Sequence, residues 1–191
     1  MPKNEIKTMN FEQVISELKE DTLIVAARDA DSFVPNTPGL YAIFVDDPDN
    51  LPLPSRSRLV YIGKATESLR ERLVEQDLRH MKPSTFFRGV GAVLGYRPPQ
   101  GSLIGKRNQN NYRFGGGDTQ EIIAWINAHL GVRWVELDKT NIGLYEPQAI
   151  KLISPPLNTT HNPNALGKLA ALRKECRQIA LAAPDAKTTV H

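Results

Sequence analysis

Two short segments, Gly39-Leu40-Tyr41 and Tyr61-Ile62-Gly63-Lys64, each set a glycine and a tyrosine into an apolar run, about twenty residues apart. A tyrosine there puts a phenol at a strand end, where it can bond a phosphate or a water. The glycine lets a ligand or a second backbone come close. Taken singly, each tyrosine suits a packed residue with a bonded hydroxyl better than a reactive one. A second concentration of useful chemistry lies in the stretch 97–118, where Lys106, Arg107 and Arg113 alternate with Tyr112 and Phe114. That is the composition of a nucleic-acid contact, and equally of an exposed loop kept soluble by its charges.

The elements that must position these residues follow from periodicity and punctuation. Phe11, Val14, Ile15 and Leu18 recur at helical spacing behind Asn10, a good N-cap residue. A short apolar run covers 22–27, and the turn-rich stretch 28–38 delivers the chain to a first strand, GLYAIFV. A proline-rich loop leads to a second strand, RLVYIGKA, expected to pair antiparallel with the first. From Ser68 the pattern becomes helical, with Leu69, Leu73 and Gln76 on one side and Arg70, Glu71, Glu75 and Arg79 on the other. Ser68 or Thr66 can cap this helix, and Pro83 ends it.

Ser84 then caps a helix that is apolar over much of its surface, and a mobile loop is expected over 97–118. Asp118 or Thr119 caps a helix that Gly131 terminates, and VRWVEL alternates as a third strand. Another helix is expected to begin near Glu146-Pro147 and to stop at Pro155-Pro156. The final helix carries a leucine stripe with Lys168, Arg173, Lys174 and Arg177 between. Its basic face can touch a nucleic-acid backbone or simply be solvated, and 184–191 reads as a frayed end.

Composition sets bounds on partners and compartment. With 191 residues, 40% hydrophobic and 24% charged, the chain can build one domain with a real core. The formal charge of +3 suits a polyanionic partner without singling one out. A single cysteine, Cys176, excludes an intrachain disulfide and a multi-cysteine zinc site. Neither a signal-peptide core nor a bilayer-spanning run is evident, so the expectation is a soluble, cytoplasmic protein with no membrane partner.

A strand with GLY, a strand with YIGK, a helix with Leu69-x-x-Arg72-Leu73, a later helix with Glu146, then Pro156-Leu157-Asn158 follow in that order. The order resembles the GIY-YIG nucleases, a group that includes homing endonucleases, some restriction enzymes and the incision subunit of bacterial nucleotide-excision repair. The likeness runs from about Pro38 to Asn158, interrupted by a helical and loop insertion over 83–118. Leu40 stands where the family usually has isoleucine or valine, an apolar exchange that keeps the strand face. The spacing from Tyr61 to Arg72 is about one residue longer than in the excision-repair branch. Arg70 therefore competes with Arg72, and the Leu-x-x-Arg-Leu frame favours Arg72.

The resemblance implies an α/β (α+β) fold, a small three-stranded antiparallel sheet flanked by helices. It sets a nuclease domain at 38–160 between an N-terminal helical extension, 1–37, and a C-terminal helix and tail, 161–191. It further implies a DNA endonuclease that holds Mg²⁺, or Mn²⁺, on Glu146. Arg72 binds the scissile phosphate, and Tyr61 takes the proton from water with Tyr41 beside it. Lys64 lowers the Tyr61 pKa, His80 is a rival base, and Asn158 holds the frame. Lys64, Arg72, Lys106, Arg107 and Arg113 are the expected nucleic-acid contacts. RNA is an alternative substrate, a partner protein can supply specificity, and a poorly cleaving binding module of the same fold is the competing reading.

Overall fold

In the computed structural model, which describes residues 9–55 and 57–183, the sheet has four strands rather than three. These are β1 (Val25–Ala26), β2 (Gly39–Val45), β3 (Leu59–Ala65) and β4 (Leu130–Glu136), antiparallel throughout and ordered β1-β4-β2-β3. The added strand is only two residues long, and Val25 and Ala26 pair with Val132 and Gly131. A segment that short has no readable alternation, and its partner lies about a hundred residues away. The β2–β3 pairing is antiparallel, as expected.

The central strand β2 is buried along its whole length, so both faces of the sheet are covered. Leu40, Ala42 and Phe44 face one layer, made by α1 (Phe11–Leu18) and α5 (Lys139–Ile153). Tyr41, Ile43 and Val45 face the other layer. That second layer holds a π-helix (Arg70–Leu78), α3 (Thr85–Val93) and α4 (Gly116–His129), with α6 (Gly167–Leu181) packed on α3. A short α2 (Ala30–Phe33) precedes β2.

Local chemistry explains the helix starts. The Asn10 side chain accepts from the Gln13 amide at 2.9 Å while the Gln13 side chain accepts from the Asn10 amide at 2.9 Å, a reciprocal cap for α1. Ser84 caps α3 through the Phe87 amide at 3.0 Å. Two starts differ from expectation. The helix carrying Glu146 begins seven residues earlier, where Asp138 accepts from the Thr140 amide at 2.8 Å. Pro147 therefore lies inside it and removes one helical N–H, and Glu146 sits mid-helix, away from the N-terminal dipole. Further back, α4 begins at Gly116 rather than at Asp118 or Thr119.

Gly131 does not stop a helix. It lies in β4, where an added Cβ would come within 2.4 Å of Ile24 Cγ2, so it serves close packing beside β1. In the stretch 97–118, Lys106, Arg107 and Arg113 are exposed, but Tyr112 and Phe114 are buried core residues. The aromatics expected to stack on bases hold the segment down instead. An added Cβ at Gly91 would come within 2.4 Å of the Phe114 ring, so that ring lies directly on α3. Among the described residues no helix is long and apolar enough to cross a membrane, and the frayed end expected at 184–191 lies outside them.

Candidate active site

The sheet order makes β3 an edge strand, whose outward N–H and C=O groups need partners or solvent. Asn158 supplies them at Ile62. Its side-chain oxygen accepts the Ile62 amide at 2.9 Å, and its side-chain amide donates to the Ile62 carbonyl at 2.9 Å. Next to it the Leu157 amide donates to the Val60 carbonyl at 3.0 Å. A carboxamide thus imitates one more strand residue. Beyond this seal, among the described residues, the edge stays open at Lys64, and there a cleft of about 390 Å³ begins. Tyr61, Gly63 and Lys64 form one wall of it, with Arg72 and Gln76 from the π-helix and Glu146 from α5.

The register re-aims Tyr61 toward this cleft. Ile43 pairs with Tyr61 and Phe44 with Leu59, which leaves Val60 as the extra residue of a β-bulge. The Tyr61 ring packs against Phe86 at 5.0 Å and Tyr41 at 6.3 Å between centroids, and only 8% of the residue is exposed. Burial first, and then the charge of Asp77, push its phenol pKa well above the ordinary value, against the opposing pull of Arg72 and Arg173. Lys64 is not among the groups acting on it. In place of the lowering expected from Lys64, the Tyr61 pKa rises, driven by burial and by Asp77.

Lys64 Nζ donates to Glu146 Oε2 at 3.0 Å across the mouth of the cleft. Lys64 points to the α5 side of the sheet and Tyr61 to the other, so the cation and the phenol reach the cleft from opposite faces of β3. Glu146 is the one carboxylate from α5 in the cleft. Among the described residues no group of three or more His, Cys, Asp or Glu side chains is gathered to hold a metal. Glu67 and Glu71 also line the cleft, paired with Lys139 and Lys82. A carboxylate such as Glu146 fits a hard cation such as Mg²⁺, which keeps most of its water and takes further ligands from a phosphate. It does not fit a metal that needs a full protein cage.

Arg72 pairs with Asp77, a residue to which the sequence assigned no role. Asp77 is fully buried and gathers three donors: Arg72, the Tyr41 hydroxyl at 2.5 Å and the Ser84 hydroxyl at 2.6 Å. Residues five apart diverge by about 140° on an α-helix, whereas the i+5 bonding of a π-helix brings them to one face. The wider turn is what sets Asp77 beneath Arg72. Burial works against the Arg72 charge, but the Asp77 carboxylate beside it holds the guanidinium firmly protonated. Arg72 also lines the cleft. Asp77 thus ties the π-helix, β2 and, through the Ser84 cap, α3 to the one arginine of the cleft.

Tyr41 does not reach the cleft. It is fully buried, and its pKa is driven well above the ordinary value by burial and then by Asp77. It supports Asp77 rather than touching water or phosphate. Gly63 makes room for it: an added Cβ would lie 2.3 Å from both Tyr41 Cζ and its hydroxyl oxygen, on the partner strand. The two glycine-tyrosine segments therefore interlock, the glycine of the second accepting the tyrosine of the first.

The other expected residues sit elsewhere. His80 is stacked on Phe87 at 4.1 Å, with both ring nitrogens buried and unpartnered, and it does not line the cleft. Burial, with Arg113 and Arg88 nearby, pushes its pKa down to about 4. Arg70 turns away to the Asp31 carbonyl, which leaves Arg72 as the arginine of the cleft. Lys106, Arg107 and Arg113 line a separate groove with Leu103 and Phe114, and none of the three borders the cleft.

No curated protein and no solved structure matches this chain. The GIY-YIG catalytic domain family matches residues 39–179, from the first glycine of β2 to within three residues of the end of α6. That span contains both glycine-tyrosine strands, the π-helix, Glu146 and the Asn158 seal, and the chain belongs to the GIY-YIG catalytic domain family.

Proposed function

We propose that the chain is a metal-dependent DNA endonuclease that hydrolyses one phosphodiester bond in the cleft at the free edge of β3. The observation that carries this reading is the meeting of a phenol, a guanidinium and a carboxylate, Tyr61, Arg72 and Glu146, around a single solvent-open cleft. In the net reaction water attacks phosphorus and the bond to the leaving oxygen breaks. The water's proton ends on that oxygen. Arg72, held in place by Asp77, offers a fixed fork to the phosphate and binds it more strongly as charge builds on the equatorial oxygens.

Tyr61 keeps its proton in the free protein, so its hydroxyl donates to a phosphate oxygen or aligns the attacking water. Lys64 leaves Glu146 for the incoming phosphate, which exposes the carboxylate to the cation. Bound at Glu146, Mg²⁺ would supply charge to stabilise the leaving oxygen and the transition state. Asn158 keeps β3 rigid behind Tyr61.

The competing reading is a module that binds nucleic acid and cuts poorly. It draws support from the two ion pairs, Lys64 with Glu146 and Arg72 with Asp77, which engage the proposed metal-holding carboxylate and the proposed phosphate-binding arginine in the free chain. Incubation with supercoiled plasmid, flapped and branched DNA, and the same sequences as RNA, in Mg²⁺ or EDTA, separates the two. Cleavage in Mg²⁺ alone is expected, and Glu146→Gln is expected to abolish it while leaving binding. Cleavage that survives Glu146→Gln would remove the metal-site assignment. Salt-sensitive binding with no cutting of any substrate would favour the module.

A further inference from the structure

The helix α6 sorts its charges. Its only carboxylate, Glu175, is turned to Arg97, which it meets at 3.0 Å through both oxygens. Of its cations, Lys168 reaches the Pro52 carbonyl, while Arg173, Lys174 and Arg177 line a different surface, a groove of about 330 Å³ shared with Arg88 of α3, Tyr112 and Thr159. Among the described residues no carboxylate lines this groove, and none of its four cations has an acidic partner.

Arg88 is the unusual member. It is 5% exposed, its Nη2 donates only to the Thr85 hydroxyl at 3.3 Å, and its Nη1 is buried with no partner. The guanidinium lies over the Tyr112 ring, 5.7 Å from the centroid, and the Tyr112 hydroxyl, beside the Cys176 sulfur, also finds no nitrogen or oxygen partner. Arg173 is held by the Thr159 hydroxyl at 3.3 Å. A buried guanidinium with an unused donor, beside three more cations and, among the described residues, no counter-charge, is costly on its own and is offset by an anion.

The groove adjoins the cleft. Thr159 follows Asn158, the residue that seals β3, and Phe86, two residues before Arg88, packs on the Tyr61 ring. The charge of Arg173 is felt at the Tyr61 hydroxyl.

We propose that the groove between α3 and α6 holds a backbone phosphate of the nucleic acid, flanking the scissile phosphate in the cleft, on Arg88, Arg173 and Arg177. The proposal rests on the nuclease reading for the second phosphate, and its chemistry, a phosphodiester oxygen on clustered guanidinium groups, is common to DNA and RNA. The full chain is titrated in EDTA with one fluorescein-labelled single-stranded oligonucleotide, made as DNA and as RNA, and anisotropy is followed across a salt series. Arg173→Gln and Arg177→Gln are each expected to weaken binding about fivefold to tenfold and to lower the slope of log Kd against log salt by about 0.7.

Arg177 is exposed and Arg88 is not, so Arg177→Gln keeps the test valid if Arg88→Gln fails to fold. Lys19→Gln, at the C-cap of α1 across the sheet, is expected to leave the slope unchanged. In Mg²⁺, Arg177→Gln is expected to raise KM about fivefold to tenfold at constant kcat. Unchanged slopes with both nucleic acids, an equal drop for Lys19→Gln, or a loss confined to kcat would each overturn the proposal. Failure of the nuclease reading shows separately, as absence of Mg²⁺-dependent cutting by the unaltered chain. A slope that still falls in EDTA then supports the groove in a chain that does not cut.

Discussion

Replacing Tyr41 by phenylalanine separates a supporting tyrosine from a reacting one. The hydroxyl touches one group, Asp77, at 2.5 Å, and both residues are fully buried. A hydrogen bond to a charged acceptor contributes about 1.5 to 3 kcal/mol. Asp77 retains Arg72 and Ser84 after the change, so the acceptor is not orphaned and the expected cost is about 2 kcal/mol. For a chain of this size that lowers Tm by about 4 to 8 °C. Urea unfolding followed by tryptophan fluorescence suits the measurement, because Trp134 pairs with Tyr41 across β4.

In an Asp77→Asn background the same change removes a bond to a neutral acceptor and is expected to cost about 1 kcal/mol. The pH dependence has a definite sign. The unfolded tyrosine ionises near pH 10, while the folded one, buried beside Asp77, resists ionisation. The stability it contributes is complete below pH 10 and is lost as pH rises above that value. Tyr41→Phe removes its share of this alkaline loss. The kcat is expected to fall less than tenfold, since Arg72 keeps its anchor. An unchanged Tm with a kcat loss above about a hundredfold would refute the supporting role and return Tyr41 to the reaction itself.

Gly63→Ala sets a methyl group 2.3 Å from Tyr41 Cζ and its hydroxyl, and displacement of that ring from Asp77 is expected to cost about 1 to 3 kcal/mol. A thermal melt indistinguishable from the parent chain's would show that the two segments do not interlock as described. His80, with its pKa pushed down to about 4 by burial and by Arg113 and Arg88, makes the fold acid-sensitive. Its folded pKa lies below the unfolded value, so stability is complete above about pH 6.5 and falls between there and pH 4. The loss is about 1 to 2 kcal/mol, reduced for the solvent that reaches the ring. His80→Asn tolerates the left-handed backbone at this position (φ 54°) and does not titrate. It is expected to flatten the acid limb of stability measured by urea unfolding. An unchanged limb would mean that His80 ionises freely in the folded chain.

The sequence told most where burial is two-sided and local, and least where geometry depends on remote contacts. The strands β2 and β3 are apolar runs bounded by turn residues, and their antiparallel pairing follows from the loop between them. The strand β1 has two residues and exists only because β4 lies beside it. Asp138 was a readable N-cap, but Gly143 and Pro147 inside the helix obscured the apolar positions Ile142, Ala149 and Ile150 behind it. In the stretch 97–118, charge correctly marked the exposed positions. Aromatic type alone could not say whether Tyr112 and Phe114 faced a ligand or the core.

Asp77 shows why a site residue can be invisible at the level of spacing. Read with a 3.6-residue period, the helix after Ser68 gives Gln76 an apolar position and turns Asp77 away from Arg72. The i+5 register is specified by tertiary partners, not by the local residues. The Gln76 side chain donates to the Pro83 carbonyl at 2.6 Å, and Tyr41 and Ser84 hold Asp77 from outside the helix. Those bonds exist only once β2 and the start of α3 are in place. The same logic governs Glu146, which meets Lys64 across an edge that exists because β3 pairs on one side only. A motif on two adjacent strands is therefore legible as a wall. The groups that complete the cleft are legible only as residue types until the free edge brings both faces of the sheet to one place.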